Sequence, residues 1–164
     1  MIKVLVIEDD NFLVDAYSAK LQKSGFKVSL AANGEEGWTQ ARAQRPDVIL
    51  LDLLLTKRNG FDLLADLKAD PKLKKIPVIV LSNLGQERDM AQVRQLGADE
   101  YLIKANVSMK EVVAKIEKVM EKRHQSKTET LRPVDLNKKF KKHKKFKPVK
   151  LVKKIKHKKI IKAV

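Results

Sequence analysis

Four short apolar runs in this chain each end on a residue that could do chemistry. Val4-Leu5-Val6-Ile7 runs into Glu8, Asp9 and Asp10, and Val48-Ile49-Leu50-Leu51 runs into Asp52. Val78 to Leu81 runs into Ser82, and Tyr101-Leu102-Ile103 runs into Lys104. An isolated carboxylate at the end of such a run is costly unless it is paired or bound to a metal. Taken alone, Asp52 fits equally an aspartate just past a strand that caps the helix behind it. The reading changes if the four run ends share one edge of a sheet. Glu8, Asp9 and Asp52 then converge, repel one another and raise each other's pKa. A divalent cation relieves that repulsion, and all-oxygen ligands with retained waters suit Mg2+ or Mn2+. Lys104 adds a fixed positive charge and Ser82 a hydroxyl. A metal, an ammonium and a hydroxyl around one carboxylate make a site for a bound phosphoryl group. Asp52, the central member, is its natural nucleophile.

The elements needed to bring these residues together are legible in the patterning. Residues 2–7, 27–31, 46–52, 76–82 and 100–104 read as strands, three of them apolar throughout, as in sheets covered on both faces. Helical spacing fills the intervals: from Asn11 to a C-capping Gly25, then 33–43, 60–70, 86–97 and 108–123. Asn33 is placed as an N-cap, and Ser108 with Glu111 as a capping box. Strands alternating with helices across short connections imply parallel pairing through right-handed crossovers. The expected class is therefore α/β, a doubly wound (βα)5 sheet of five parallel strands. Sites in such sheets lie beyond the carboxyl ends of the strands at the switch point. No glycine-rich phosphate fingerprint follows the first strand, which argues against a dinucleotide or P-loop site.

With these residues in order at strand ends, residues 1 to 124 resemble the receiver domain of two-component response regulators. The resemblance rests on "VIEDD", "ILLDLLL", "VIVLSN" and "YLIKA". Spacings of 43 residues from Asp9 to Asp52, 30 from Asp52 to Ser82 and 52 from Asp52 to Lys104 fit the family pattern. The resemblance implies the flavodoxin-like strand order 2-1-3-4-5. It implies that Glu8, Asp9 and Asp52 bind the metal with the backbone carbonyl of Leu54. Asp52 then accepts phosphate from a histidine kinase or phosphotransfer protein, Ser82 and Lys104 contact the phosphoryl oxygens, and Tyr101 is the aromatic switch. In the family that aromatic turns inward when the hydroxyl residue moves toward phosphate. Asp10 reads as a loop or cap residue. A phosphorylation-dependent homodimer is compatible with the resemblance. The chain departs from the family pattern at Ala105, where proline is usual, at Asn83, usually a smaller residue, and at Thr56 and Asn59. The domain implied is a phosphoacceptor, with at most self-phosphorylation from small donors and slow autodephosphorylation.

Charge divides the chain in two. Residues 1–124 carry 20 Lys and Arg against 18 Asp and Glu, while residues 125–164 carry 16 against 2. Residues 125–137 read as a polar linker and 138–164 as a lysine-rich tail, too short and too charged to bury a core of its own. Lysine doublets between single apolar residues suit nucleic acid, DNA or RNA, through counterion release, with Phe140 and Phe146 available for stacking. An anionic membrane or an acidic protein is the second reading, and a tail without a specific partner the third. Two other functional classes compete with the signalling receiver. One is a signalling-inactive head carrying a binding tail. The other is a metal-dependent phosphatase, which would want an acid two residues after the nucleophile, where Leu54 stands. The chain has no cysteine, no signal-peptide pattern and no membrane-length apolar run, so the expectation is a cytoplasmic protein.

Overall fold

The computed structural model describes residues 1–130. The tail read over 138–164, and the part of the linker beyond 130, lie outside the described residues. Five parallel strands, β1 (Lys3–Ile7), β2 (Lys27–Ala31), β3 (Val48–Leu51), β4 (Val78–Ser82) and β5 (Glu100–Ile103), form one sheet in the order 2-1-3-4-5. Five helices alternate with them: α1 (Asn11–Lys23), α2 (Gly34–Gln44), α3 (Gly60–Ala69), α4 (Glu87–Gln95) and α5 (Met109–Thr130).

Period-two side-chain alternation sorts the strand residues onto two faces. Leu5, Ile7, Ile49, Leu51, Val78 and Val80 pack with Leu63, Leu64 and Leu67 of α3, Ala41 of α2 and Val93 of α4. Val4, Val6, Val48, Leu50, Ile79 and Leu81 pack with Tyr17 and Leu21 of α1 and with Val112 and Ile116 of α5. Both faces are thus dry, which is why these strands read as continuous apolar runs. Each fully buried aliphatic side chain of this kind stabilises the fold by about 1.5–3 kcal/mol.

The helix ends follow local chemistry. Asp10 caps α1 by accepting from Phe12 N (2.9 Å) and Leu13 N (3.3 Å). Gly25, at φ +85°, turns the chain out of α1 in the left-handed region that glycine enters freely. Asn33 accepts from Glu36 N at the start of α2, and Asn59 from Phe61 N at the start of α3. The Ser108–Glu111 capping box forms in both directions, at 2.7 and 3.3 Å.

Several element ends differ from the sequence reading. β3 and β4 begin two residues later than expected, just after the Pro46–Asp47 and Ile76–Pro77 pairs; proline has no N–H for a ladder. Lys104 leaves β5 and opens a short 3-10 turn, Lys104–Asn106. α5 continues to Thr130, so residues 125–130, read as the start of the linker, are helical. No helix of the described residues is long and apolar enough to cross a membrane.

Candidate functional site

The topology brings the acidic run ends to the reversal point of the strand order, between β1 and β3. Backbone bonds carry the ladder one residue past each strand. Glu8 N donates to Ala31 O, and Asp52 N donates to Ile7 O, each at 3.0 Å. Both carboxylates therefore hang from the rigid sheet. Glu8 is 3% exposed, Asp52 6%, and Asp9 half-buried. One oxygen from each of the three lies within 4.8 Å of the others.

Lys104 enters this group from the turn after β5. Its ammonium lies 2.6 Å from Glu8 Oε2 and 2.7 Å from Asp52 Oδ2. The other Asp52 oxygen, Oδ1, accepts from Leu53 N (2.6 Å) and Leu54 N (3.2 Å). The carboxylate is held on both oxygens, which fixes its rotation and aims Oδ2 at the lysine. Asp9 is oriented from the loop between β3 and α3, where Thr56 N donates to its Oδ2 at 3.1 Å. Three carboxylates and one ammonium leave a formal charge of −2 in the pocket. That surplus and the all-oxygen donor set fit a hard divalent cation.

The electrostatics follow from burial. Desolvation pushes the Glu8 carboxyl above its usual 4.5, and the pairing with Lys104 opposes this without cancelling it. Burial pulls the Lys104 ammonium down, but the hydrogen bonds to Asp52 and Glu8 win and hold it above its usual 10.5. Tyr17 on α1, buried in the core between the sheet and α5, has its phenol raised chiefly by desolvation.

Of the remaining expected residues, Ser82 ends β4, Tyr101 lies within β5 and Leu54 follows β3. Ser82 is the last residue of β4, fully buried and paired in register with Ile103; its hydroxyl accepts from Leu84 N at 3.4 Å. Tyr101 on β5 packs against the core, and its hydroxyl donates to Leu84 O at 2.5 Å. Burial raises its phenol, with Asp89 and Asp52 adding to the shift and the Ser82 hydroxyl opposing it. The ring is half-buried, and its hydroxyl joins it to the segment that follows Ser82. Leu54 lies on the loop after Asp52, with its side chain 56% exposed and its N–H on Asp52.

Sequence reasoning missed three participants. Thr56 acts through its backbone N–H, which carries no side-chain signal. Arg58 and Trp38 meet across 20 residues, their guanidinium and ring 5.2 Å apart. Only the one-turn spacing of Trp38 and Arg42, a second guanidinium 5.5 Å from the same ring, could have been read in advance.

Known proteins give a consistent picture. A family model described as "Response regulator receiver domain" matches residues 4–117. The "DNA-binding dual master transcriptional regulator RpaA" of Synechocystis is 37% identical over 116 residues, which cover 71% of this chain and 48% of RpaA. Protein PilH of Pseudomonas aeruginosa is 35% identical over 104 residues, 63% of this chain and 86% of PilH. The chain thus spans about half the length of RpaA and most of PilH. Among solved structures, a CheY-like receiver domain protein of Methanospirillum hungatei superposes with a TM-score of 0.72 at 21% identity, covering 77% of this chain and 98% of its own. The Mn2+-bound form of response regulator Rcp1 superposes with a TM-score of 0.63 at 27% identity, covering 73% and 91%. With that match over most of its length and the flavodoxin-like sheet beneath it, the chain belongs to the response regulator receiver domain family, the phosphoacceptor signalling domains of two-component systems.

Proposed function

We propose that Asp52 is the phosphoacceptor of this chain and that the pocket around it works with Mg2+, or Mn2+ in its place. The observation that carries this reading is the buried Lys104 ammonium shared between Glu8 and Asp52. Glu8, Asp9 and Asp52 would hold the ion, together with the backbone carbonyl of Leu54. Bound there, the ion supplies charge neutralisation for the phosphoryl oxygens.

The chain's own residues do the rest. The donor is a phosphohistidine on a histidine kinase or phosphotransfer protein. Asp52 Oδ2 forms the new O–P bond as the N–P bond breaks, and the departing electron pair stays on the imidazole. The two N–H groups on Oδ1 keep the carboxylate aligned for in-line transfer. Once Asp52 carries the phosphoryl group, Lys104 moves its hydrogen bond from the carboxylate to a phosphoryl oxygen, and Ser82 donates its hydroxyl to another. Moving Ser82 changes the environment of Leu84, to which Tyr101 is bonded, and that couples the phosphate to the face formed by α4, β5 and α5.

The lysine-rich tail is proposed to bind nucleic acid. This rests on its 14 lysines and no acidic residue over 138–164 and on the physics of counterion release. It does not rest on the DNA-binding description of RpaA, half of which this chain does not match. The experiment treats wild type and Asp52→Ala with acetyl phosphate and Mg2+, reads intact mass, and then titrates labelled duplex DNA at two salt concentrations. A phosphate-sized gain on wild type alone supports the acceptor. No metal-dependent gain on wild type refutes the signalling reading and leaves a receiver-shaped head. DNA binding that weakens steeply with salt supports the tail reading, and no binding at low salt refutes it.

A further inference from the structure

The loop between β3 and α3 is gripped from both sides by one arginine. Arg58 lays its guanidinium 5.2 Å from the centre of the Trp38 ring on α2 and makes an ion pair with Asp66 on α3. Arg42, one turn after Trp38, supplies the second cation at 5.5 Å. Arg58 thus spans α2 and α3 over the loop that follows Asp52, with its side chain 16% exposed.

What lies under this span is a tight turn. Arg58 N donates to Thr56 O at 2.7 Å, and Lys57 between them sits at φ +64°, a region that a lysine enters only under strain. Thr56 O also accepts from Gly34 N at 3.4 Å. A Cβ at Gly34 would fall 2.3 Å from Arg58 O and 2.7 Å from Arg58 Cβ, so the first turn of α2 is pressed directly on the loop. The opposite side of the same turn is functional: Thr56 N donates to Asp9 Oδ2. A strained turn persists only where its surroundings over-determine it. Here the surroundings are Trp38, Asp66 and Gly34.

We propose that Arg58 and Trp38 are positioning residues for the phosphoacceptor pocket: their stacked contact holds the Thr56–Arg58 turn in the form that aims Asp9 and presents the Leu54 carbonyl. The inference rests on the metal site proposed above. Groups bonded directly to a metal ligand change affinity by about 10- to 100-fold when removed; Arg58 acts one step further out, through the Thr56 N–H on Asp9, so the low end of that range applies. The geometry also makes Trp38, the chain's single tryptophan, a reporter of the loop. Ion binding at Asp9 reaches the indole through Thr56 and Arg58.

The test is Mg2+ titration of the full chain by calorimetry, with Trp38 emission followed in parallel. The variants are Arg58→Ala, Arg58→Lys and Asp66→Asn. Wild type is expected to bind Mg2+ with a change in emission. Arg58→Ala is expected to bind about 10-fold more weakly and to lose the emission change. Arg58→Lys keeps a cation for both ring and carboxylate and should recover most of each. Asp66→Asn releases one end at a half-exposed position and should fall between. If Arg58→Ala fails to fold, Arg58→Lys and Asp66→Asn decide: Mg2+ affinity at wild-type level in Asp66→Asn overturns the positioning role. Unchanged affinity and an unchanged emission response in a folded Arg58→Ala also overturn it. Failure of wild type to bind Mg2+ overturns the metal reading itself, an outcome distinguishable from failure of the clamp alone.

Discussion

Lys104→Met is expected to be among the most destabilising substitutions at the site, and its cost should depend on pH. Lys104 neutralises two buried carboxylates at 2.6 and 2.7 Å. Removing one partner of a buried pair costs about 3–5 kcal/mol, because the charge left behind is unpaired in a poor solvent. The folded protein has an escape, which is to take up a proton. Holding a proton at pH 7.5 on a carboxyl whose ordinary pKa is 4.5 costs about 4 kcal/mol at 1.36 kcal/mol per unit. Proton uptake therefore caps the expected loss at pH 7.5 at about 4 kcal/mol, within the range for a broken buried pair. At pH 5.5 the same proton costs no more than about 1.4 kcal/mol. The direction is fixed by linkage. A carboxyl raised in the folded state stabilises that state at acid pH, and the contribution is lost as pH climbs from 4.5 through the raised value. Wild type keeps the Lys104 contribution up to about 10.5 and loses it as pH rises through the folded lysine value above that. Urea unfolding with chelator present, at pH 7.5 and 5.5, measures both losses. A deficit under about 1 kcal/mol at pH 7.5, against the 3–5 kcal/mol expected of a broken buried pair, would refute the reasoning. So would a deficit equal at the two pH values.

Three further outcomes are expected. Gly60→Ala would place a Cβ 2.4 Å from Asp52 O and 2.5 Å from Leu53 Cα, both backbone atoms; a loss of about 1–3 kcal/mol in urea unfolding and a slower phosphoryl gain at Asp52 should follow. The chain's two tyrosines, Tyr17 and Tyr101, are both raised above 10.0, first by burial, so ultraviolet titration of the native protein should show phenolate forming only above the midpoint seen in urea. Native stability should correspondingly fall as pH rises from 10.0 through the folded values. Asn33→Ala removes the N-cap of α2 and should cost about 1 kcal/mol by the same unfolding assay, leaving Mg2+ binding in place.

The caps at Asp10, Asn33 and Ser108 were legible because each joins a side chain to a backbone N–H two or three residues on, whereas the same bond from Asn59 was not read from the sequence. The strand ends were legible because apolar runs on a doubly covered sheet stop where the carboxylates begin. The Thr56 bond to Asp9 and the Arg58 contact with Trp38 were not, since they span 47 and 20 residues and depend on how the loop is folded. Lys104 was placed as a future phosphate ligand, and nothing in its spacing showed that it would also neutralise Glu8. The far end of α5 was missed because no apolar stripe continues past Arg123. Gln, Lys and Glu sustain a helix on propensity once a packed segment has nucleated it.

The bond from Asp52 N to Ile7 O sets a seam in the protection of the backbone. On one side, the amides of β1, β3 and Asp52 lie in the middle of the sheet and should exchange hydrogen only when the whole domain opens. On the other, the Leu54–Asn59 turn lies outside the ladder, held by side-chain contacts and by single backbone bonds, and should exchange through local opening. Asp52, the proposed phosphoacceptor, straddles this seam, its backbone in the slow compartment and its carboxylate facing the fast one. A group bound at Asp52 would therefore meet the slow-exchanging sheet on one side and a locally opening turn on the other. Added protection should appear in the turn, with almost none in β1 and β3.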